Sequence, residues 1–170
     1  TDETVEGLAK QTNDSRFALD SYRRFIQMFA EIVMGISAER FHRVLERYKR
    51  QTPNHVVSEL TEDQLMDIIT AYKRIVFSDK HGQAFPQDAL LQLRMTISAV
   101  FDSWNRPRAI EYRRIHSIPA DLGTAVNVQT MVFGNMGDDS GTGVAFTRNP
   151  ATGEKALFGE YLLNAQGEDV

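Results

Sequence analysis

The residues that could do chemistry gather in the last third of the chain, from Asp121 to Val170. Gly134 to Gly143 reads Gly-Asn-Met-Gly-Asp-Asp-Ser-Gly-Thr-Gly. Glycine lets backbone N–H groups approach an anion closely, so such a run could cradle phosphates. Asp138 and Asp139 work against that use, because they repel a triphosphate unless Mg²⁺ stands between. The same Asn, Asp and Gly chemistry also builds a long hairpin turn, which is the reading these residues favour. No Gly-Lys-Ser/Thr is present, so the run is not a Walker A loop. Val128-Gln129-Thr130-Met131-Val132 offers backbone donors and acceptors, an amide and a polarisable thioether. On the residues alone it is a plain core strand. Glu160, Glu168 and Asp169 supply carboxylates close behind.

Charge separates this region from the rest. Residues 117–170 carry 2 Lys+Arg against 7 Asp+Glu, whereas residues 1–116 carry 17 against 16. An acidic segment argues against nucleic acid, whose phosphates need a clustered basic face. It suits Mg²⁺ held together with a nucleotide, since Mg²⁺ favours carboxylate and phosphate oxygens.

The elements that must position these groups fall into two textures. The first is helical. Glu3–Lys10 reads as a short helix or the tail of one, and Asn13-Asp14-Ser15 is a cluster of capping residues. Tyr22, Phe25, Ile26, Phe29, Ile32, Val33 and Ile36 then recur at the spacing of one buried helical face, with Arg23, Arg24 and Gln27 off the stripe. Ala38–Arg50 is a second amphipathic helix with Phe41, Val44, Leu45 and Tyr48 inward. Thr61 and Gln64 form a capping box before a third, lined by Leu65, Ile68, Ile69, Tyr72, Ile75 and Val76. Phe85-Pro86-Gln87-Asp88 punctuates the chain before a fourth, which carries Leu90, Leu93, Ile97, Val100, Phe101 and Trp104. Pro107 allows a fifth from Arg108 to about His116. Met28, Met34, Met66 and Met95 read as core filler, and the arginines mostly as a solvated face.

From Gly123 the pattern turns β-prone. Strands are expected over 125–133, 143–147 and 156–163, joined by turns with no room for a crossover helix, hence antiparallel. Helices followed by segregated strands make an α+β fold: a five-helix lobe over residues 1–117, then a short antiparallel β segment over 118–170.

Bulk properties exclude several classes. Hydrophobic residues make up 42% and charged residues 25%, an ordinary globular composition. No run approaches the ~18 apolar residues of a membrane span, so no membrane partner is expected. There is no cysteine, which excludes disulfides, thiolate nucleophiles and cysteine-based zinc sites. The chain opens and closes in mid-pattern without an initiator Met, so a piece of a longer protein is expected.

The stretches VNVQTMVFGNMGDDSGTGVAFTRNPATGE and GEYLLNAQGEDV resemble the nucleotide-binding region of the pyruvate, phosphate dikinase family. RFALDSYRRFIQMF, FPQDALLQL and AVFDSWNRPRAIEYRRI, followed by IPADLGTAVNVQ, extend the resemblance along the whole chain. Phosphoenolpyruvate synthases share only the looser skeleton of the β part. The resemblance implies an ATP-grasp region within a large homodimeric enzyme. There, ATP phosphorylates a histidine on a swivelling domain, and a barrel domain makes phosphoenolpyruvate from pyruvate. ATP, pyruvate and phosphate become AMP, phosphoenolpyruvate and pyrophosphate, with Mg²⁺ required. Cytosol, plastid and glycosome are all compatible compartments.

The resemblance also assigns residues. It places the adenine hinge at Gln129, Thr130, Met131 and Val132. Glu168 becomes the carboxylate expected to hold Mg²⁺ against the phosphates, and Asp169 a turn residue. Arg108, Ala151 and Glu160 become a docking surface for the swivelling domain. The family's glycine-rich segment with its phosphate-binding Lys and Arg, the carboxylate and basic residues expected after Val170, and the phosphorylated histidine are not in this sequence. His42, His55, His81 and His116 all lie in the helical part and read as surface or loop residues. No catalytic residue is therefore expected here, and the chain alone should be inactive. Two alternatives stand beside this reading: a phosphoenolpyruvate synthase-like enzyme with another acceptor, and a non-catalytic interaction module.

Overall fold

The structure, a computed structural model, describes residues 1–169, without the side chain of Glu168. The described residues form two compact units, Thr1–Asn127 and a second that begins at Val128. The first is helical and the second contains an antiparallel hairpin, so the chain is α+β.

Six α-helices build the first unit, one more than the five counted from the sequence, which left Glu3–Lys10 as a short helix or the tail of one. They are α1 (Asp2–Thr12), α2 (Ser15–Met28), α3 (Ala38–Lys49), α4 (Glu62–Asp79), α5 (Ala89–Ser103) and α6 (Pro107–Ile115). The additional one is α1, a full helix with reciprocal Thr1–Thr4 capping at its start and Asn13 in the left-handed region at its end. Local chemistry fixes the other boundaries. The Asp14 carboxylate accepts from Phe17 N at 2.8 Å, Thr61 and Gln64 cap each other reciprocally, and Asp88 accepts from Leu90 N and Leu91 N. Each such cap stabilises a helix by about 1 kcal/mol.

The core lies between α2 and α4, with α1 against α2 and α3 against α4. Tyr22, Ile26 and Phe29 meet Leu65, Ile68, Ile69, Tyr72 and Val76, as the helical spacing predicts. Phe41 of α3 sets its ring edge-on to Tyr72 at 5.0 Å. Burying each such side chain contributes roughly 1.5–3 kcal/mol.

Several expectations about burial fail. After Met28 the helix widens into a π-helical turn, Phe29–Val33. The wider turn shifts the period, so Ile36 stays buried while Ile32 rotates outward to 57% exposure. Met28 and Met66 are exposed rather than core filler. The expected apolar stripe of α5 is also largely uncovered, with Leu90, Leu93 and Phe101 exposed, because among helical elements α5 packs chiefly on the π-turn. Its buried residue is instead Gln92, whose amide donates to Pro86 O at 2.7 Å. Nor are all arginines solvated. Arg23 is buried against the buried Asp20 carboxylate at 2.7 Å, and Arg113 is buried under Trp104.

In the second unit β1 (Gly141–Phe146) pairs antiparallel with β2 (Phe158–Leu163), from Gly141 opposite Leu163 to Phe146 opposite Phe158. These are the second and third of the expected strands, the pairing as expected and the bounds shifted by about two residues. The first, over 125–133, does not form among the described residues. It carries no regular secondary structure, and Val128, Met131 and Val132 are exposed. A β-prone sequence becomes a strand only when a neighbour takes its backbone hydrogen bonds.

Candidate functional site

The hairpin register decides what meets what in the second unit. Gly141 and Leu163 close one end of the sheet, so the glycine-rich connector before β1 and the polar loop after β2 emerge side by side. Three backbone-to-backbone and side-chain bonds join them. Asn164 N donates to Ser140 O at 2.7 Å, Ala165 N donates to Gly134 O at 2.9 Å, and the Gln166 amide Nε2 donates to Asn135 Oδ1 at 3.1 Å. Ala165 and Gln166 are buried in a unit whose other side chains are mostly exposed. The connector is thus not the tip of a hairpin, since no strand precedes it. It is a strap folded against the loop that follows β2.

Gly134 makes this closeness possible. A Cβ at that position would collide with Ala165 O and stand 2.7 Å from Gly141 O, so only glycine fits. Beyond Gln166 the chain turns through a 3₁₀ segment, Gly167–Asp169. The Asp169 carboxylate accepts from Gln166 N at 2.9 Å, and Asp169 N donates to Gln166 O at 2.9 Å. That is turn chemistry, as the sequence suggested for Asp169. Glu168 lies inside this turn, and its side chain is outside the described residues.

The other expected site residues sit as follows. Gln129, Thr130, Met131 and Val132 lie on this irregular, exposed segment, and none has a hydrogen-bond partner among the described residues. Ala151 occupies the turn at the opposite end of the hairpin, where its N–H donates to Asn149 Oδ1 at 2.9 Å. Glu160 is opposite Val144, near that same end. Arg108 belongs to the first unit, in the opening turn of α6. There it lines a pocket of about 650 Å³ with Trp104, Tyr112, Ile118 and Leu122. Arg113 is committed to that pocket's wall: its guanidinium carbon stands 3.9 Å over the Trp104 ring and its Nη1 donates to Trp104 O at 2.6 Å. Arg108 has no hydrogen-bond or ion-pair partner among the described residues.

All four histidines are exposed; His116 stacks on Tyr112 at 4.3 Å. Among the described residues no group of three or more His, Cys, Asp or Glu side chains is placed to hold a metal ion. The described side chains do not by themselves compose a Mg²⁺ site. No helix is long and apolar enough to cross a membrane, among the described residues. Sequence reading identified both loops but not their junction. Gln166 and Asn135 stand 31 positions apart, and nothing in their local patterns announces that they meet.

Residues 15–170 match a family model described as "Pyruvate phosphate dikinase, AMP/ATP-binding domain". The chain belongs to this family. It is 53% identical over 169 residues to the pyruvate, phosphate dikinase of Clostridium symbiosum, a span of 99% of this chain and 19% of that protein. The pyruvate, phosphate dikinase of Rhizobium meliloti (strain 1021) is 54% identical over the same share. A chloroplastic pyruvate, phosphate dikinase of Mesembryanthemum crystallinum is also 54% identical, over 99% of this chain and 18% of the relative. The chain spans about a fifth of the length of these curated relatives.

Proposed function

We propose that this chain forms part of the ATP site of a pyruvate, phosphate dikinase, in an ATP-grasp region with a helical lobe over 1–117 and a β part over 118–170. The match of residues 15–170 to a domain described as AMP/ATP-binding carries this reading. The meeting of the glycine-rich strap with the loop that contains Glu168 supports it, because it brings backbone N–H groups beside that turn at one end of one hairpin. In the complete enzyme, ATP phosphorylates a histidine on a swivelling domain, and that phosphoryl group converts pyruvate to phosphoenolpyruvate, with phosphate consumed and AMP and pyrophosphate released. Phosphoryl transfer depends mainly on positioning and charge neutralisation. That is a role a fragment can share in without holding a reacting residue.

Within this reading Gln129–Val132 is the adenine hinge. An exposed segment whose backbone N–H and C=O groups have no partner among the described residues suits it, since those groups are what an adenine edge can bond. Mg²⁺ enters with the nucleotide. It is usually held by phosphate oxygens, waters and only one or two carboxylates, of which Glu168 is this chain's contribution. Arg108, Ala151 and Glu160 form the surface that receives the swivelling domain. A cation that lines a pocket and has no partner among the described residues supports the first of these roles. The complete protein is a homodimer in the cytoplasm or, as for the relatives named chloroplastic, in a plastid.

Calorimetric titration of Mg·ATP into the full-length protein tests the site. Gln129→Ala and Glu168→Ala should each weaken binding, Glu168→Ala by about 10–100-fold, as expected for loss of a metal-supporting group. Unchanged affinity in both variants would remove these assignments. Absence of Mg·ATP binding by the unaltered protein would overturn the ATP reading itself.

A further inference from the structure

The Gln166 side chain is the feature of the second unit that the function so far leaves unused. A carboxamide carries two donors and an acceptor, and burying it is costly unless it is bonded. Yet Gln166 is only 4% exposed, in a unit that buries little else. Its Nε2 reaches across to Asn135 Oδ1 at 3.1 Å. Its own backbone is gripped on both sides, its N–H by the Asp169 carboxylate and its C=O by Asp169 N, each at 2.9 Å. The neighbouring residue, Ala165, is pinned by its N–H to Gly134 O, where no side chain can enter.

We propose that Gln166 is a positioning residue: its buried amide, bonded to Asn135, fixes the spacing between the glycine-rich strap 134–140 and the turn 167–169 that carries Glu168. The proposal rests on the ATP reading given above and deepens it. Gln166 is not assigned a contact with the nucleotide. It acts by holding two segments that are 31 positions apart in sequence, so that the N–H groups of one and the carboxylate-bearing turn of the other face a ligand as one preformed surface. Preformation matters because any loop ordering left until the ligand arrives subtracts from affinity. A residue of this kind weakens binding when altered about as much as a group supporting a metal ligand does, about 10–100-fold.

The test uses the full-length protein with two single variants, their double variant and a reciprocal exchange. Gln166→Met keeps the chain length and removes the amide. Asn135→Leu removes the acceptor. The reciprocal exchange Asn135→Gln with Gln166→Asn keeps two facing amides at the same summed length. Mg·ATP affinity is measured by calorimetry, and hydrogen exchange is followed by mass spectrometry over peptides spanning 134–140 and 161–166. The expected result is about ten-fold weaker Mg·ATP binding and faster exchange in both peptides for each single variant. The Gln166→Met/Asn135→Leu double variant should be no worse than either single one, and the reciprocal exchange should recover most of the loss. Wild-type Mg·ATP affinity in Gln166→Met would overturn the positioning role and leave the ATP reading standing. So would weakened binding with unchanged exchange, which would mean that Gln166 touches the ligand directly. Failure of the unaltered protein to bind Mg·ATP would overturn the ATP reading, and this inference with it.

Discussion

Phe85 belongs to no helix, yet it holds the centre of the first unit. It is 3% exposed, and its ring meets Tyr22, Phe25 and Phe29 edge-on at 6.5, 6.1 and 5.5 Å. Edge-to-face aromatic pairs add to the area they bury. Phe85→Ala should therefore lower the unfolding free energy of the helical unit by roughly 3–5 kcal/mol, the range for a fully buried phenylalanine. Urea denaturation followed by circular dichroism reads it, and a loss under about 1 kcal/mol would contradict the packing described. The sequence marked Phe85-Pro86 only as punctuation. A residue outside a periodic element has no period from which its burial can be read. Gln166 and Asn135 escaped notice for a related reason: two ordinary polar loop residues acquire meaning only when a distant pairing buries one against the other.

At the scale of elements, α1 lays a half-buried stripe of Val5, Leu8 and Ala9 toward the bundle, none of its residues fully buried, and adds polar contacts at its start. The Asp2 carboxylate accepts from Tyr22 Oη at 2.8 Å and from Lys73 Nζ at 2.5 Å, while Asp2 N donates to Gln87 Oε1 at 2.8 Å. Partial burial pushes the Asp2 carboxyl up, but the Lys73 ammonium and Tyr22 hydroxyl outweigh it and hold the group below its ordinary value of 3.8. A carboxyl lowered on folding stabilises the fold above its unfolded pKa, and that stabilisation is lost as pH falls through the folded one. The wild-type protein should therefore melt above Asp2→Asn at neutral pH, with the gap closing as pH drops below about 3.8. A gap that persists or widens in acid would rule out this contribution. Tyr72, deep in α4, is pushed up to about 12 chiefly by burial, so it stays neutral throughout that range. The caps and apolar stripes of α2, α3 and α4 were legible because they are local. The π-helical turn at Phe29–Val33 was not, since one extra residue per turn leaves no mark until packing selects which side faces inward.

At the scale of the whole molecule, the chain spans about a fifth of the length of its curated relatives, and the reading proposed above gives it parts of sites. If Arg108 and Glu160 receive a swivelling domain, Arg108→Glu or Glu160→Lys in the full-length protein should slow phosphoryl transfer from ATP to the histidine on the order of ten-fold or more, as misplaced interface charges do. The pyruvate half-reaction should keep its rate. Isotope exchange measured separately for each half decides it, and an equal loss in both would argue for misfolding instead. The sequence by itself determined the helical segments and their caps, the antiparallel pair β1–β2, the absence of cysteine chemistry and the family. These depend on spacing within a few residues, or on long runs of identity. Only the tertiary structure decided that 125–133 forms no strand among the described residues, that Ile32 and the face of α5 turn outward, and that the strap and the Glu168 turn close on each other through Gln166. Pairing and burial are properties of what lies across the gap, and a residue's own neighbours in sequence do not say what that will be.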